Sequence, residues 1–210
     1  KRRSKTLESL NAKKGDLTVH DFIATLRDHG EHPPDRGITG STVCMHAGFG
    51  PIRGSQTTGS MVSFLHPDHP SHFFTGTAAP CTGIFKPLWV DAKLPDMGPV
   101  PSGTYDDATL YWRHERLHRR VLHDFSDSLK TYQPERNELE SEFVRKGLKY
   151  AAEPSETRAL FSERCFTEAE KAEKRWLKTI SETEARQKPR LLYRTAWKGF
   201  NKKAKMEAFL

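Results

Sequence analysis

Residues 55–77 read "SQTTGSMVSFLHPDHPSHFFTGT", and this stretch decides the fold class. It contains two runs rich in Thr, Ser and Phe, joined by "HPDHPS", whose prolines interrupt regular structure. Alternation in the first run is typical of a strand, because side chains two residues apart share a face of a sheet. The residues expected on one face are Thr57, Gly59, Met61, Ser63 and Leu65.

Two further segments extend this pattern in both directions along the chain. "STVCMHA" at 41–47 alternates well enough to form a strand, and "GIFKPLWV" at 83–90 forms another that Pro87 interrupts. The connections between the four segments are short, which favours antiparallel pairing. The sequence therefore predicts an antiparallel meander in the first half of the chain.

The composition changes near residue 105, and the second half is rich in Glu, Lys, Arg and Leu. Apolar residues recur there at every fourth position, at Leu117, Val121, Phe125 and Leu129, which predicts a helix over 110–129. We therefore expect two parts, strands within 1–105 and a helical region over 106–210 that packs on them. The fold class expected is α+β.

Composition also limits the classes of partner. The formal net charge is +7, but Lys and Arg alternate with Glu as on solvated helix faces, so we expect no nucleic-acid partner. No apolar run is long enough to span a membrane, and no membrane partner is expected. The 3 cysteines are widely spaced, which argues against a disulfide framework and favours a reducing, cytoplasmic compartment.

The segment "WRHERLHRR" at 112–120 contains His-Glu-x-x-His, the zinc pattern of many metallopeptidases. On a helix His114 and His118 share a face, Glu115 would polarise a bound water, and Glu138 offers a third ligand. Fixed positive charges oppose a dication at this place: Arg113, Arg116, Arg119 and Arg120. We therefore expect an amphipathic helix whose His and Arg side chains face solvent or pair with carboxylates, without metal.

Two other clusters have weaker patterns. The histidines of "HPDHPSH", which are His66, His69 and His72, lie three apart before Cys81, but histidines in turns are more often polar residues without a metal. Cys44 lies two residues before His46, so a strand would put both on one face as a thiolate–imidazole pair. Buried structural cysteines are common, and we expect no nucleophile among Cys44, Cys81 and Cys165.

The order of three motifs resembles the secernin and dipeptidase family of cysteine N-terminal-nucleophile (Ntn) hydrolases. These motifs are "VCMHAGFGPIRGSQTTGSMVSFL", "HFFTGTAAPCTGIFKPLWV" and "LYWRHERLHRRVL". The resemblance covers residues from about 15 to 125 and corresponds to the C-terminal half of that family. It implies a four-layer αββα fold, with residues 1–105 as the C-terminal part of that domain.

The resemblance also implies a mechanism. A cysteine at the N-terminus of the mature chain attacks the carbonyl of a small amide, its own α-amino group acts as the base, and water hydrolyses the thioester. Residue 1 of this chain is Lys, and an internal cysteine has no free α-amine. We therefore expect the nucleophile, with the N-terminal half of the protein, to lie outside this sequence, and the chain alone to be inactive.

The resemblance assigns this half a supporting role in catalysis. The residues expected to support catalysis are Gln56, Thr57, Thr58 and Ser60. The residues expected to bind substrate are His46, Arg53 and Thr75, with Arg53 pairing with a substrate carboxylate. The expected partners are a dipeptide or small amide, the missing half and, through the C-terminal helices, a second copy of the chain.

No cofactor is expected, and two other functions remain open. One is a zinc metallopeptidase that uses His114, His118 and Glu138, and the other is a secernin-like binding protein without catalysis.

Overall fold

A computed structural model describes residues 2–30, 32–37 and 42–206, and within them the protein is a mixed α+β fold. The described residues form six α-helices and one three-stranded antiparallel sheet. The first half contains α1 (Arg2–Asn11), α2 (Val19–Leu26), a 3₁₀ turn (Gly50–Ile52), and the strands β1 (Met61–Phe64), β2 (Ser71–Phe74) and β3 (Lys86–Leu88). The second half contains α3 (Leu110–Val121), α4 (Phe125–Tyr150), α5 (Ser155–Glu182) and α6 (Leu191–Lys203). The predicted fold class is confirmed at this level.

The strands follow one another in the order β1-β2-β3, and both pairs are antiparallel, so the predicted meander is confirmed for these three segments. The strands are shorter than predicted. The first predicted strand, at 41–47, is wrong for the described residues 42–47, which form bends and irregular backbone; Ser41 lies outside the described residues. The backbone hydrogen bonds of this segment are made to two different segments and not to one neighbouring strand: Cys44 N donates to Asp28 O, and Met45 O accepts from Thr57 N.

The two faces of the sheet have different surroundings. Register places Val62 beside Phe73 and Phe73 beside Pro87, and this face packs against α4. The helix approaches closely because position 147 is glycine: an added Cβ would lie 3.0 Å from Phe73 and 3.2 Å from Pro87. The buried cluster between them also includes side chains of α2 (Val19, Ile23) and Val144.

The helix predicted over 110–129 is interrupted. α3 ends at Val121, and α4 begins at Phe125. Between them, the buried Asp124 carboxylate accepts hydrogen bonds from the backbone amides of Arg186 and Gln187, so the break is fixed by the distant loop before α6. The fourfold apolar spacing runs from Leu117 and Val121 on α3 to Phe125 and Leu129 on α4. Because the spacing continues through the break, it does not reveal that one helix ends and another begins.

α3 lies between the sheet-bearing half and α5. Thr109 caps its N-terminus, accepting a hydrogen bond from Trp112 N at 3.2 Å. Its buried side joins the main core, in which Tyr132 of α4 stacks on Trp176 of α5 at 4.7 Å between ring centroids. None of the described helices combines the length and apolar character needed to cross a bilayer.

Candidate functional site

The segment before β1 contains all four residues predicted to support catalysis, and the hydroxyl groups of Thr57 and Thr75 hold it in place. Thr57 N donates to Met45 O at 2.9 Å, and Met45 N donates to the Thr57 hydroxyl at 3.1 Å. Thr75 N donates to Ser60 O at 3.1 Å, and Ser60 N donates to the Thr75 hydroxyl at 3.0 Å. Thr57 and Thr75 therefore position this segment, and the role of the buried Thr75 in substrate binding stays a prediction.

Three groups of the same segment lack a hydrogen-bond partner in the described residues, two backbone amides and one buried side-chain oxygen. Thr58 and Gly59 are exposed, and within the described residues their backbone amides donate to no other backbone group. Gln56 donates through Nε2 to Glu115 Oε1 at 3.2 Å, while its Oε1 is buried and has no hydrogen-bond partner in the described part of the chain. A buried acceptor without a partner indicates a place for a donor that the fold does not supply.

Arg53 lies inside the fold. Its guanidinium donates to Pro34 O at 2.6 Å and lies over the rings of Phe49 and Tyr193, at 4.8 and 5.9 Å from their centroids. Its side chain also closes on Gly48, where an added Cβ would lie 2.8 Å from Nη2. These contacts are packing contacts, and pairing of Arg53 with a substrate carboxylate stays a prediction.

The structure brings His46 to two cysteines. His46 Nε2 is 3.5 Å from Cys44 Sγ and 3.2 Å from Cys81 Sγ. The exposed fractions are 0% for Cys44, 3% for His46 and 3% for Cys81, so all three side chains are closed off from solvent. Among the described residues, this is the one group of three Cys, His or acidic side chains whose ligand atoms all lie within 4.8 Å of one another. We call it the Cys–His cluster.

Backbone hydrogen bonds from separate segments hold the Cys–His cluster. The Cys44 amide donates to Asp28 O at 2.8 Å, and the Cys44 carbonyl accepts from the Thr42 hydroxyl at 2.8 Å. The Cys81 carbonyl accepts from Arg136 of α4. Although 42–47 forms no strand, Cys44 and His46 still point the same way, as the spacing of two predicted.

The two thiols differ in acidity. Burial alone would raise the pKa of Cys44, but the hydrogen bond from Cys81 and the charge of His46 outweigh it and hold that pKa well below its ordinary value. Burial, and then the neighbouring Cys44 sulfur, raise the pKa of Cys81 well above its ordinary value. The first proton therefore leaves Cys44.

Two more imidazoles border the cluster. The ring centroid of His118 stacks 5.5 Å from that of His46, and the centroid of His29 lies 6.0 Å from it. Burial, then the charges of neighbouring His and Arg residues, hold the pKa of His118 well below its ordinary value. Three imidazole nitrogens here are buried without a hydrogen-bond partner among the described residues: His29 Nδ1, His46 Nδ1 and His118 Nε2.

The His-Glu-x-x-His motif lies on α3, and we expected its His and Arg side chains to face solvent or to pair with carboxylates. His114, Glu115, His118 and Arg119 are all buried, so exposure to solvent is wrong for them, whereas pairing with a carboxylate is confirmed for His114 and Arg119. The reason is that α5 and the loop at Thr82 cover the helix. His114 Nδ1 lies 3.0 Å from Glu173 Oε1, His118 Nδ1 lies 2.9 Å from the Thr82 hydroxyl, and Arg119 donates to Glu115 at 2.7 Å.

These contacts engage His114 Nδ1, His118 Nδ1 and the Glu115 carboxylate, and they leave His118 Nε2 without a partner in the described residues. Burial opposes ionisation of Glu173, but the charge and hydrogen bond of His114 hold the pKa of that carboxyl below its ordinary value. Glu138, the third ligand considered, is exposed on α4. Within the described residues, the motif histidines join no group of three metal-ligating side chains.

The histidines of the 66–72 loop do not meet Cys81 in such a group either. His66 and His69 are exposed and stack on each other at 5.7 Å, while His72 Nδ1 lies 2.9 Å from the Ser63 hydroxyl. Cys165 lies on α5, and burial raises its pKa to about 12. Cys81 belongs instead with Cys44 and His46, which no local spacing indicates because 35 residues separate His46 from Cys81.

Comparison of the chain with protein-family models, with curated proteins and with solved structures finds no match.

Proposed function

We propose that this chain is the C-terminal portion of a cysteine Ntn hydrolase that cleaves dipeptides or similar small amides. The nucleophilic cysteine belongs to residues outside 1–210. Its thiolate attacks the substrate carbonyl, the amine leaves with a proton, and water hydrolyses the resulting thioester. The observation that carries this proposal is the unequal covering of the two faces of the sheet.

In an αββα sandwich, each sheet has helices on one face and the second sheet on the other. Here α4 covers the face of Val62 and Phe73. The opposite face carries Met61, Phe74 and Leu88, where Met61 is 53% exposed and the other two are half-buried. α5 runs along β3, where the Lys86 ammonium lies 5.1 Å from the centroid of the Phe166 ring and the Ser162 hydroxyl donates to Pro87 O at 2.8 Å. Partly open apolar side chains on this face support a second sheet supplied by the other half of the protein.

The unpaired edge of β1 is the place where we propose that the substrate binds. Among the described strands, β1 pairs only with β2, so its other edge is free. The segment that enters this edge carries the exposed amides of Thr58 and Gly59, and extended peptides commonly bind by adding to such an edge. In our proposal these amides bind the substrate backbone or its oxyanion, with the Thr58 and Ser60 hydroxyls beside them.

Gln56 gives this site a second polar contact. Its Nε2 is engaged by the Glu115 carboxylate, which leaves Oε1 as an acceptor without a partner in the described residues. An acceptor there suits the α-ammonium group of a dipeptide, which donates up to three hydrogen bonds. We assign Gln56 to recognition of the substrate amine, because dipeptidases must distinguish a free amine from a peptide.

The test is dipeptide hydrolysis by the longer protein, with Gly59→Val compared with Gly103→Val. An added Cβ meets no atom within 4 Å at either glycine, so both variants should fold. Bulk at Gly59 should lower kcat/KM on the order of 10- to 100-fold, since small displacements of a bound substrate have effects of this size. Gly103→Val should leave kcat/KM unchanged.

Two results would contradict the proposal. The first is a longer protein that releases no amino acids from a dipeptide library, or that keeps its activity when the cysteine at its mature N-terminus is replaced by alanine. The second is equal activity of the Gly59→Val and Gly103→Val variants, which would place the substrate away from this edge.

A further inference from the structure

We propose that the Cys–His cluster is a zinc site in which Cys44, His46 and Cys81 are the protein ligands. The ion holds the irregular segment 42–48 against the loop at Cys81. This inference goes beyond the proposed function and does not depend on it, because it concerns neither the free edge of β1 nor the missing nucleophile.

The geometry of the donor atoms carries the proposal. Zinc binds sulfur at about 2.3 Å and nitrogen at about 2.0 Å, so tetrahedral coordination puts a sulfur and a nitrogen ligand roughly 3.5 Å apart. The observed distances from His46 Nε2 are 3.5 Å to Cys44 Sγ and 3.2 Å to Cys81 Sγ. All three donor atoms lie within 4.8 Å of one another, so they surround one position that an ion can occupy.

Hydrogen bonds hold this arrangement one contact at a time, since Nε2 shares a hydrogen with one sulfur while Cys81 bonds to Cys44. One metal ion would engage all three donor atoms at once. A disulfide between Cys44 and Cys81 would leave His46 without a role in the cluster. A metal ion bound by both sulfurs would use His46 Nε2 as its third ligand. Two thiolates and one imidazole form zinc sites in which water or another ligand takes the fourth position.

The charges around the cluster are compatible with an ion. Two thiolates neutralise Zn²⁺, so the occupied site carries no net charge. Arg27 is already paired with Glu140, through contacts of 2.6 Å from both Nη1 and Nη2. Arg136 donates to the Cys81 carbonyl and to the Asn137 side chain, so its guanidinium is engaged by neutral acceptors beside the site.

Unsatisfied atoms around the cluster are a second, independent observation. Within the described residues His118 Nε2 and His29 Nδ1 are buried and have no partner, and both rings lie beside His46, at 5.5 and 6.0 Å between ring centroids. Buried polar atoms without partners are rare in folded proteins and indicate an ion or water that satisfies them.

The burial of the ligands assigns the ion a structural role. With side chains 0–3% exposed, the site offers no access for a substrate. No strand holds residues 42–47, so ligation at Cys44 and His46 would tie that segment to Cys81. A zinc ion bound only by the folded chain must therefore raise its thermal stability.

The test is zinc binding by the full chain 1–210, purified under reducing conditions, stripped with a chelator and titrated with Zn²⁺ against a competing dye. We expect one zinc per chain and a rise in Tm. Cys44→Ser and Cys81→Ser should each lower the affinity at least about 100-fold, the upper end of what changes to outer-shell partners cost. Cys165→Ser is the matched control, since Cys165 is equally buried at 1% exposure, and it should bind as the wild type does.

Cobalt substitution keeps the test independent of how the variants fold. The wild-type chain with Co²⁺ should show intense ultraviolet sulfur-to-cobalt charge-transfer bands and visible bands of tetrahedral coordination. Absence of the sulfur bands, absence of zinc from the reduced chain, or a Cys44–Cys81 disulfide in its place would each overturn the proposal. Retention of full affinity by folded Cys44→Ser would also overturn it.

Discussion

The protein has two histidine clusters, the His-Glu-x-x-His motif on α3 and the Cys–His cluster. The first resembles a zinc site in its sequence, and the second resembles one in its structure. The helix α3 has the sequence pattern of a zinc site, yet its ring nitrogens and carboxylate contact Glu173, Thr82 and Arg119. The Cys–His cluster has no recognised spacing, yet three ligand atoms converge there and neighbouring nitrogens lack partners among the described residues. The difference teaches that a metal site depends on which donor atoms remain unengaged after the chain folds, and less on their spacing along it.

The largest effect that tests this comparison should come from Glu173→Ala. The change leaves His114, which is 0% exposed, without the carboxylate that lies 3.0 Å from its Nδ1, and removing one partner of a buried hydrogen bond to a charged group costs about 1.5–3 kcal/mol. Chemical denaturation should show a loss of about 2 kcal/mol in the free energy of unfolding. The control is Glu170→Ala, whose partly exposed pair with Arg113 should contribute less than about 1 kcal/mol. Equal losses would show that His114 does not depend on Glu173.

A smaller effect should appear in the pH dependence of Glu173→Gln. The pKa of Glu173 is lower in the folded chain than its ordinary value of 4.5, so the carboxylate contributes stability above pH 4.5 that is lost as pH falls through the folded-state pKa. The Gln variant should be less stable than the wild type at neutral pH, and the gap should narrow below pH 4.5. Unfolding curves from pH 3 to 7 measure this, and a gap that stays constant would contradict the assignment.

The smallest effect should come from Glu138→Ala. Glu138 is exposed on α4, and a zinc site at the His-Glu-x-x-His motif would need it as a ligand. We expect the variant to match the wild type in stability within about 0.5 kcal/mol, as exposed substitutions usually do, and to bind zinc with unchanged affinity. A weaker zinc affinity of the Glu138→Ala variant would show that zinc binds at α3 and not at the Cys–His cluster.

Local patterns predicted part of the fold. Period-two alternation found the strand around Val62, and the short connection predicted its antiparallel pairing with the segment around Phe73. The alternation at 41–47 was misleading, because a strand also needs a neighbouring strand to pair with. There the backbone of Cys44 bonds to Asp28 of a loop, and alternation contains no information about the partner.

The candidate sites were predicted less completely, for a related reason. The two-residue spacing of Cys44 and His46 predicted that they would lie together, but their contact with Cys81 is set by how the 42–48 segment folds onto the loop before β3. Burial of His114 and Arg119 depends on α5 and α6, which supply Glu173 and Asn201 from far along the chain. Such contacts leave no periodic signal in the sequence.

The most direct measurement of where zinc binds is anomalous X-ray diffraction at the zinc edge, from crystals of the chain grown with one equivalent of Zn²⁺. The account predicts one anomalous peak between Cys44 Sγ, Cys81 Sγ and His46 Nε2, with distances near 2.3 Å to sulfur and about 2.0 Å to nitrogen. A peak at His114 and His118, or no peak in the reduced protein, would contradict it.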